Sequence, residues 1–519
     1  MHLPLAALAP PLLLLTALTA LVTPGRRPGA LPRLAEVAAM VTLGLVGAGA
    51  LQVALSGPSV ASIGGGPFAL TLRFDLLTAV ITLIVGFIGW VVVRYARSYL
   101  DGEAREGAFH GLLLATLASV LGLGMAGSLA LLVGAFIAVG FGVWRLLKFY
   151  PARPEAARAA AKFALVWGTG DMALILAAIL LWIAFGTTDI VGINQAAAAR
   201  PLPGAALLAT GFLVLAALLK TASFPVHGWL TEVMEAPTPV SALLHAGIIN
   251  AGGVLLVRMA EPMQASHGAM AALVLLGGFT ALFAGLVMLT QPAVKTALAW
   301  STVAQMGFML LQCGLGLWAL ALLHIVAHSL YKAHAFLGSG TAVQAVQAAQ
   351  RPGPVAVPGI GAVMRAFAIA LAIYVAVASG FWAAFGPTPL QSMALGAILV
   401  FGVAYLVAQG LADTAPRALT RRTTIASAAA ALAYFTFHRL AETLTAGTLP
   451  SPPVPGPLGG ALLVLVILSF GAVAVAQALF PHWAHHPAAA GLRVHLANGL
   501  YLNATLDRLI GGFHAAKPL

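Results

Sequence analysis

The chain has a single cysteine, Cys313, among its 519 residues. One thiol cannot form a disulfide within the chain, and it cannot supply the thiolate clusters that hold zinc or iron–sulfur centres. A Gly-rich phosphate-binding loop after a strand is also missing, so nothing in the sequence predicts an ATP-driven pump. We therefore expect no cofactor and no metal in this chain. Its energy source should be an ion gradient or a partner protein.

Charged residues are scarce as well: they make up 8% of the chain, whereas 61% of its residues are hydrophobic. A soluble domain carries about 25% charged residues, so this composition predicts an all-α polytopic membrane protein surrounded by a lipid bilayer. Apolar windows long enough to cross a hydrocarbon layer of about 30 Å recur from end to end. They predict about 14–15 transmembrane helices, at 4–23, 34–55, 73–96, 107–126, 128–147, 160–185, 204–220, 239–260, 268–289, 296–312, 315–345, 362–384, 390–411, 424–446 and 457–480. The seventh and the eleventh of these segments look broken.

Acidic residues are the scarcer charged class, 14 against 26 Lys and Arg, which leaves a net charge of +12. With the N-terminus outside, about 20 of these basic residues fall in cytoplasmic loops and the C-terminal tail, as the positive-inside rule requires. The charge thus predicts topology, and we expect no nucleic-acid partner. Arg26, Arg27 and Arg33 follow the first apolar segment, which therefore predicts a transmembrane helix rather than a signal peptide.

Two lysines lie deep inside apolar segments, where a charge costs about 2.5–3.5 kcal/mol. Lys220 is followed by Pro225, which removes a backbone donor and breaks the helix. Lys332 lies within the apolar stretch 315–345. Both are too deep to reach the interface easily, which favours a functional role. Lys295 lies near the start of its segment, and snorkelling to the interface explains it equally well.

The stretch LHIVAHSLYKAHAF at 323–336 places His324, His328 and Lys332 four residues apart. Side chains at this spacing share one helix face. Imidazole titrates near neutrality and can pass a proton between its two nitrogens. A lone histidine in a helix bundle is more often a packing residue, but three aligned titratable groups are what a proton relay needs.

Irregular backbone is predicted between the seventh and eighth segments. The stretch TEVMEAPTPVSALLHAG carries Glu232 and Glu235, then two prolines, then His245. Since the prolines cannot continue a helix, a short half-helix must end near Glu235. Non-helical backbone at membrane depth is tolerated where it lines a cavity or contacts protein, so this region is a candidate site.

Three stretches occur in order that resemble the proton-conducting antiporter-like membrane subunits, which include subunit L of respiratory complex I and the A subunit of Mrp antiporters. They are KTASFPVHGWLTEVMEAPTPVSALLHAGIINAGGVLLVR, KTALAWSTVAQMGFML and LLHIVAHSLYKAHAFLGSG, and the likeness covers about 70–345. The resemblance implies two inverted five-helix repeats with broken helices, and two half-channels joined by a hydrophilic axis. It makes Lys220, Lys295 and Lys332 the lysines of the first broken helix, of the bridge and of the second half. The further family polar positions are Asp171, His245, His324 and His328.

Two departures from the family pattern narrow the resemblance. Phe136 stands where the family has the glutamate that pairs with the first lysine. Ala383 and Ala384 replace a lysine–acid pair in a later segment. With its ending GLRVHLANGLYLNATLDRL, the chain is most similar to the DabB-type subunits of two-component inorganic carbon uptake systems.

The DabB resemblance implies a transport subunit that is not itself an enzyme. Its partner would be a soluble, DabA-like protein on the cytoplasmic face, which carries the zinc and hydrates CO2. This chain would conduct protons and couple their gradient to that reaction in a bacterial inner membrane, with its C-terminus cytoplasmic. Asp171 would replace the missing glutamate as the counter-charge of Lys220. The residues expected to gate or to face the partner are His227, Glu232 and Glu235.

Two alternatives stay open. The chain could be a proton-pumping, subunit L-like component of an NADH:quinone oxidoreductase, or a membrane anchor that conducts nothing. In every case the predicted organisation is the same: N-terminal helices at 1–106, a first repeat at 107–260, a second repeat at 261–385, C-terminal helices at 386–480 and an amphipathic tail at 481–519. The tail's alternating leucines suit either a membrane-surface anchor or a docking segment.

Overall fold

A computed structural model describes residues 4–233, 236–341, 359–410 and 417–509 of the chain. In its first half the helices are α1 (Ala9–Val22), α2 (Leu31–Ser56), α3 (Leu76–Tyr99), α4 (Glu106–Gly124), α5 (Leu129–Leu147), α6 (Pro154–Phe185), α7 (Ile190–Ala199), α8 (Gly204–Lys220), α9 (Gly228–Thr231), α10 (Thr238–Ala246), α11 (Ala251–Arg258) and α12 (Ala260–Gln264). The later helices are α13 (His267–Met288), α14 (Val294–Gly314), α15 (Trp318–Gly338), α16 (Ile360–Phe385), α17 (Leu390–Gly410), α18 (Arg417–Thr445), α19 (Pro457–Ala478), α20 (Phe480–Trp483), α21 (Pro487–Ala497) and α22 (Leu502–Leu509).

The all-α polytopic membrane fold predicted from composition is confirmed. Each of the fifteen apolar segments coincides with a helix or, for the eighth, with the pair α10 and α11. Among the described residues, eleven helical segments are long and apolar enough to cross a membrane. Shorter apolar helices in the same residues are α7, α8 and the part of α17 at Leu390–Gly402.

A β-hairpin between α2 and α3 was not predicted. Its strands are β1 (Ser59–Ile63) and β2 (Leu70–Phe74), which pair antiparallel with Ser59 opposite Phe74. The Arg73 amide also donates to the Met125 carbonyl, so the hairpin is fastened to the turn between α4 and α5. It lies at the same end of the bundle as the start of α3.

The break expected in the seventh segment is present. Helix α8 ends at Lys220, the chain runs through an irregular turn that contains Pro225, and the four-residue helix α9 follows. In the eleventh segment α15 is regular from Trp318 to Gly338, so the helix is unbroken around Lys332. A 3-10 turn at Ser339–Thr341 interrupts the predicted segment after it, and residues 342–345 lie outside the described residues. Proline is absent from α15, so every backbone donor there stays available.

A further interruption, which was not predicted, lies in the eighth segment. Helix α10 ends at Ala246, a 3-10 turn covers Ile248–Asn250, and α11 then resumes. This interrupted segment occupies the centre of the molecule, because 94% of its most apolar stretch is buried by protein. Helices α3 and α15 pack against it, so its irregular backbone is enclosed as membrane proteins require.

Helices α13 and α14 are in close backbone contact. A Cβ atom on Gly277 would lie 2.8 Å from the Gly307 carbonyl, and one on Gly314 would lie 2.6 Å from the Val274 amide. Small residues at such crossings let transmembrane helices approach closely. The contact fixes α14, which carries several of the polar groups described below.

Candidate ion pathway

Lys220 forms a buried ion pair with Asp171. The lysine is the last residue of α8 and is fully buried, and its Nζ lies 2.6 Å from Asp171 Oδ1 on α6. The Trp167 carbonyl accepts a second, longer contact from Nζ at 3.5 Å. Ending the helix at this residue brings the ammonium next to the middle of α6. The structure therefore brings together the two residues that the sequence suggested as a pair.

Aromatic rings complete the surroundings of this ammonium. The Phe136 ring centroid lies 4.7 Å from Lys220 Nζ and the Trp167 centroid lies 4.2 Å from it. Phe136 thus occupies the position beside the lysine that the family resemblance gives to a glutamate. Its ring offers a cation–π contact of about 0.5–2 kcal/mol, which does not replace a charge. Among the described residues, Asp171 is the carboxylate that pairs with Lys220.

Lys332 is equally buried but is held by neutral groups. Its Nζ donates to the Leu298 carbonyl at 3.0 Å and to Ser301 Oγ at 2.9 Å, both on α14. In the described part of the chain, no carboxylate lies within ion-pair distance of it. Two buried lysines with such different partners are the main asymmetry of the site.

His245 is joined to the same part of α14. Its Nδ1 lies 3.1 Å from Thr302 Oγ1, and that hydroxyl donates to the Leu298 carbonyl at 3.0 Å. Because a hydroxyl has one hydrogen to give, the His245 Nδ1 must be the donor, which leaves Nε2 as a bare acceptor. The ring also stacks on Phe336 of α15 at 4.3 Å. One backbone carbonyl of α14 therefore links His245, through Thr302, to Lys332.

His324 and His328 lie on the face of α15 that the spacing predicted, with ring centroids 6.0 Å apart. Neither ring nitrogen of His328 has a hydrogen-bond partner among the described residues, and the same holds for His324 Nε2. Buried imidazoles are rarely left unsatisfied, so these positions are suited to ordered water. The histidines and Lys332 are aligned without touching one another, as a water-assisted relay requires.

A cavity of about 30 Å³ lies beside the interruption between α10 and α11. Its walls are mostly apolar, and its polar lining consists of Asn250 and Ser329. Asn250 Nδ2 donates to Ser329 Oγ at 2.9 Å, while its Oδ1 has no partner among the described residues. A water needs about 10–15 Å³ of such space, so the cavity has room for about two. Sequence reasoning missed Asn250, although a lone amide in the apolar run GIINAGG was a usable signal.

Lys295 lies apart from Lys332 and its partners. It is the second residue of α14, is half-buried, and donates to Thr238 Oγ1 at the start of α10 across 3.3 Å. A lysine at a helix end fits either snorkelling to the interface or a bridging role in the ion pathway, so both interpretations stay open.

His227 and Glu232 flank α9, whereas Glu235 lies outside the described residues. The buried His227 ring packs on Trp300 at 4.7 Å. Glu232 Oε1 lies 2.6 Å from Lys162 Nζ, a fully buried lysine on α6. The sixth apolar segment was predicted to begin at residue 160, whereas α6 begins at Pro154, six residues earlier, so Lys162 lies well inside the helix.

The C-terminal segment packs on this end of the bundle. Asn503 donates to Glu232 Oε1 and accepts from Lys162 at 2.8 Å, and Asp507 Oδ1 lies 2.7 Å from the same Lys162 Nζ. We call Lys162, Glu232, Asn503 and Asp507 the tail cluster. The polar face of α22 therefore docks on its own chain, an arrangement that neither reading of the amphipathic tail had included.

No group of three or more histidine, cysteine, aspartate or glutamate side chains with metal-binding geometry occurs in the described ranges. What the site offers is a series of buried proton-exchanging and hydrogen-bonding groups on α6, α8, α10, α14 and α15. Such groups suit ion transfer through a membrane, where buried ionisable residues mark ion pathways.

Known proteins resemble this chain along most of its length. The family model described as "NADH:quinone oxidoreductase/Mrp antiporter, TM" matches residues 126–411. A second, "NADH-Ubiquinone oxidoreductase (complex I), chain 5 N-terminus", matches residues 61–110. Together they cover α5 to α17 and the segment that leads into α4.

Two relatives carry inorganic carbon transporter names. "Probable inorganic carbon transporter subunit DabB2" of Halothiobacillus neapolitanus is 37% identical over 491 residues, which cover 91% of this chain and 84% of that protein. The DabB subunit of Hydrogenovibrio crunogenus is 44% identical over 263 residues, about half of each chain (50% and 51%).

Among solved structures, the Mrp complex from Dietzia sp. has a similar fold. Its matching chain superposes with a TM-score of 0.61 at 23% identity, covering 96% of this chain and 60% of that one. The chain therefore belongs to the NADH:quinone oxidoreductase/Mrp antiporter family of membrane subunits, and within it resembles the DabB-type subunits.

Proposed function

We propose that this chain is the proton-conducting membrane subunit of a two-component inorganic carbon uptake complex. In this role it couples the proton gradient to vectorial hydration of CO2 by a soluble, zinc-containing, DabA-like partner on its cytoplasmic face. The observation that carries the proposal is the pair of buried lysines, Lys220 beside Asp171 and Lys332 beside α14. The names of the two relatives support the choice of substrate.

Proton exchange is assigned to the lysines because their surroundings allow both charge states. Lys220 can hand its proton to Asp171 across a 2.6 Å contact, which leaves a neutral pair in place of an ion pair. Among the described residues Lys332 faces neutral acceptors alone, so losing its proton leaves no opposite charge there unpaired. His324 and His328 then relay protons between Lys332 and the interior water, and His245 connects through Thr302.

The membrane potential is a sufficient driving force. One elementary charge that crosses 100 mV releases about 2.3 kcal/mol. Since each 1.4 kcal/mol is a factor of ten in an equilibrium, one proton biases CO2 hydration by about fifty-fold. The chemistry itself belongs to the partner, and this chain supplies the ion path and the docking face. We place it in a bacterial inner membrane with its N-terminus outside.

The decisive experiment reconstitutes the chain in proteoliposomes with and without its co-purifying partner. Proton flux under an imposed potential should appear in the complex and should be lost in Lys332→Met. In cells, carbon-limited growth should depend on the same residue and should be abolished by an uncoupler. If Lys332→Met left uptake and uncoupler sensitivity unchanged, the lysine relay would be excluded.

A second candidate is a proton-pumping subunit of an NADH:quinone oxidoreductase-type complex. The match of residues 61–110 to the chain 5 N-terminus favours it. Co-purification with quinone- and NADH-binding subunits would support this candidate, whereas a single soluble zinc protein would support the carbon system.

A third candidate, a non-conducting anchor, gains weight from Phe136, because the ring stands where a charged partner of the first lysine is expected. The presence of Asp171 at Lys220 argues against it. Absence of proton flux in proteoliposomes that contain the intact, active complex would establish the anchor.

A further inference from the structure

The C-terminal segment 499–509 folds back against the broken helix and is held there by the tail cluster. Lys162 is at its centre, with Glu232, Asn503 and Asp507 all within 2.8 Å of its Nζ. The two tail residues are separated from Lys162 by more than 340 positions in the sequence. A fully buried lysine with three polar partners is a constructed site rather than a chance surface contact.

The tail supplies one of the two carboxylates that contact Lys162. Lys162 and Arg158 face Glu232 and Asp507, with Arg158 Nε 3.8 Å from Glu232 Oε2 and 3.7 Å from Asp507 Oδ1. If the tail leaves, Lys162 loses two of its three partners, Asn503 and Asp507, and keeps Glu232. Removing one member of a buried ion pair is strongly unfavourable, so Asp507 holds the tail in its docked position.

The fit of the tail is also steric. A Cβ atom on Gly228, the first residue of α9, would lie 2.1 Å from Asn503 Oδ1, so only glycine allows the contact. Before α22, Gly499, Leu500 and Tyr501 all have positive φ angles of 56°, 54° and 62°. Non-glycine residues rarely adopt this region and keep it only where surrounding contacts impose it. This turn in the backbone places Asn503 and Asp507 next to Lys162.

The docked tail covers one end of the irregular turn that starts at Lys220. After this lysine come the buried hydroxyls of Thr221 and Ser223, 2.9 Å apart, and then the buried ring of His227. Gly499 packs over His227 and Trp300, with its Cβ position 3.7 Å from His227 Nε2. The last of these polar groups, His227, is therefore covered by the docked tail.

We propose that residues 499–509 are a plug that closes the α9 end of the ion pathway, and that ion movement requires the plug to loosen from Lys162. This inference rests on the proposed function, since a plug has meaning only in a conducting chain. Lys162 and Asp507 hold the plug, and Gly228 and Gly499 allow it to seat. Loosening it exchanges the Asp507 and Asn503 contacts of Lys162 for water.

A reversible cross-link tests the plug. With cysteines in place of Gly228 and Asn503, the Cβ atoms lie about 3.5 Å apart, which is within the disulfide range of about 3.5–4.5 Å. Oxidation of the Gly228→Cys/Asn503→Cys complex in proteoliposomes should lower proton flux at least about tenfold, and reduction should restore it. Asn503→Cys alone, given the same treatment, controls for the buried Cys313.

The outcomes separate the plug from the pathway. If the disulfide forms and flux is unchanged, the tail is a static part of the fold and the plug is wrong. If the disulfide does not form, the docked position is wrong. If the unmodified complex conducts nothing, the proposed function fails first and the plug fails with it.

A second pair of variants tests what holds the plug without a cross-link. Asp507→Asn should raise proton flux several-fold, because it weakens the hold on Lys162. Arg508→Gln, at the exposed neighbouring position of the same helix, should leave flux unchanged. Equal flux in the two variants, with equal thermal unfolding temperatures, would exclude the ion-pair hold.

Discussion

Two of the three buried lysines in the described residues, Lys220 and Lys332, accommodate a charge inside the membrane in opposite ways. Lys220 has a carboxylate at 2.6 Å and two aromatic rings around it. Lys332 has a backbone carbonyl and a hydroxyl from α14. The first site is a neutral pair as a whole whichever group holds the proton, whereas the second changes its net charge when the proton leaves. Proton transfer inside the Lys220 site therefore conserves the net charge of that site. Proton loss from Lys332 changes the net charge of its site, which can therefore act as a switch.

This contrast predicts different responses to potential. A proton that moves from Lys220 to Asp171 shifts charge over a short distance and leaves the rest of the protein's field almost unchanged. Deprotonation of Lys332 removes a full charge near His245 and His328, so it alters the field that those imidazoles experience. We therefore expect the protonation state of Lys332 to control when protons move. Lys220, with Asp171, should determine where a proton is held.

The largest expected effect is that of Lys220→Met. The substitution leaves Asp171 as a buried carboxylate without a partner, which costs about 3–5 kcal/mol when one member of a buried pair is removed. Both proton flux and the thermal unfolding temperature in detergent should fall. Lys148→Met, at an exposed helix end, is the matched control and should change neither. An unfolding temperature equal to that of the wild type would show that the pair is not formed.

Lys332→Met should separate function from stability. Its partners are neutral, so no opposite charge is stranded, and the lost hydrogen bonds are offset by removal of a buried charge. Flux should be abolished as in Lys220→Met, whereas the unfolding temperature should stay within about 2 °C of the wild type, equivalent to about 1–2 kcal/mol in a chain of this size. A fall as large as that of Lys220→Met would mean that Lys332 has a charged partner, which would contradict the contrast between the two sites.

Phe136 allows the first site to be rebuilt in the family's form. Asp171→Asn should lower flux strongly, and adding Phe136→Glu should restore part of it, because the new carboxylate lies where the ring now contacts the ammonium. The single variant Phe136→Glu should itself lose stability, since a buried aromatic side chain packed on Trp167 is removed. The coupling between the two sites, from a double-mutant cycle on the unfolding free energy, should be about 0.5–3 kcal/mol. Additive effects would show that the two positions do not serve the same lysine.

Local patterns predicted the helices well and the long-range contacts poorly. Hydropathy places α8 at Gly204–Lys220 with the same bounds as the structure, because crossing hydrocarbon imposes a length on each apolar run. The spacing of His324, His328 and Lys332 predicted their shared face, because residues four apart lie on one side of a helix. In the eleventh segment polar residues alone suggested a break, and α15 shows that a neighbouring helix can satisfy Lys332 while its own helix stays regular as far as Gly338.

The contacts that sequence reasoning missed join distant parts of the chain. In the sequence, Ser301 and Thr302 are two hydroxyl side chains in an apolar helix. That they form hydrogen bonds with Lys332 and His245 depends on how α14 packs. Lys162 lies near the start of the sixth predicted segment, where no pattern marks it as buried, and two of its three partners come from α22. No periodicity or spacing reports a contact across more than 340 residues, so the tail cluster was beyond the reach of pattern analysis.

The smallest expected effect tests the link that connects the second lysine to the rest of the pathway. Thr302→Val removes the hydroxyl that receives the His245 Nδ1 hydrogen and leaves that nitrogen without its 3.1 Å partner. Loss of one such buried hydrogen bond costs about 1–3 kcal/mol when the other group stays unsatisfied. Flux should fall by a few-fold rather than vanish, since Lys332 keeps its bonds to Leu298 and Ser301. Thr169→Val, at an exposed position whose hydroxyl bonds only its own helix, should leave flux unchanged. Proton flux in proteoliposomes separates the two variants. An equal response would mean that water alone connects His245 to Lys332 and that the hydroxyl of α14 takes no part in the connection.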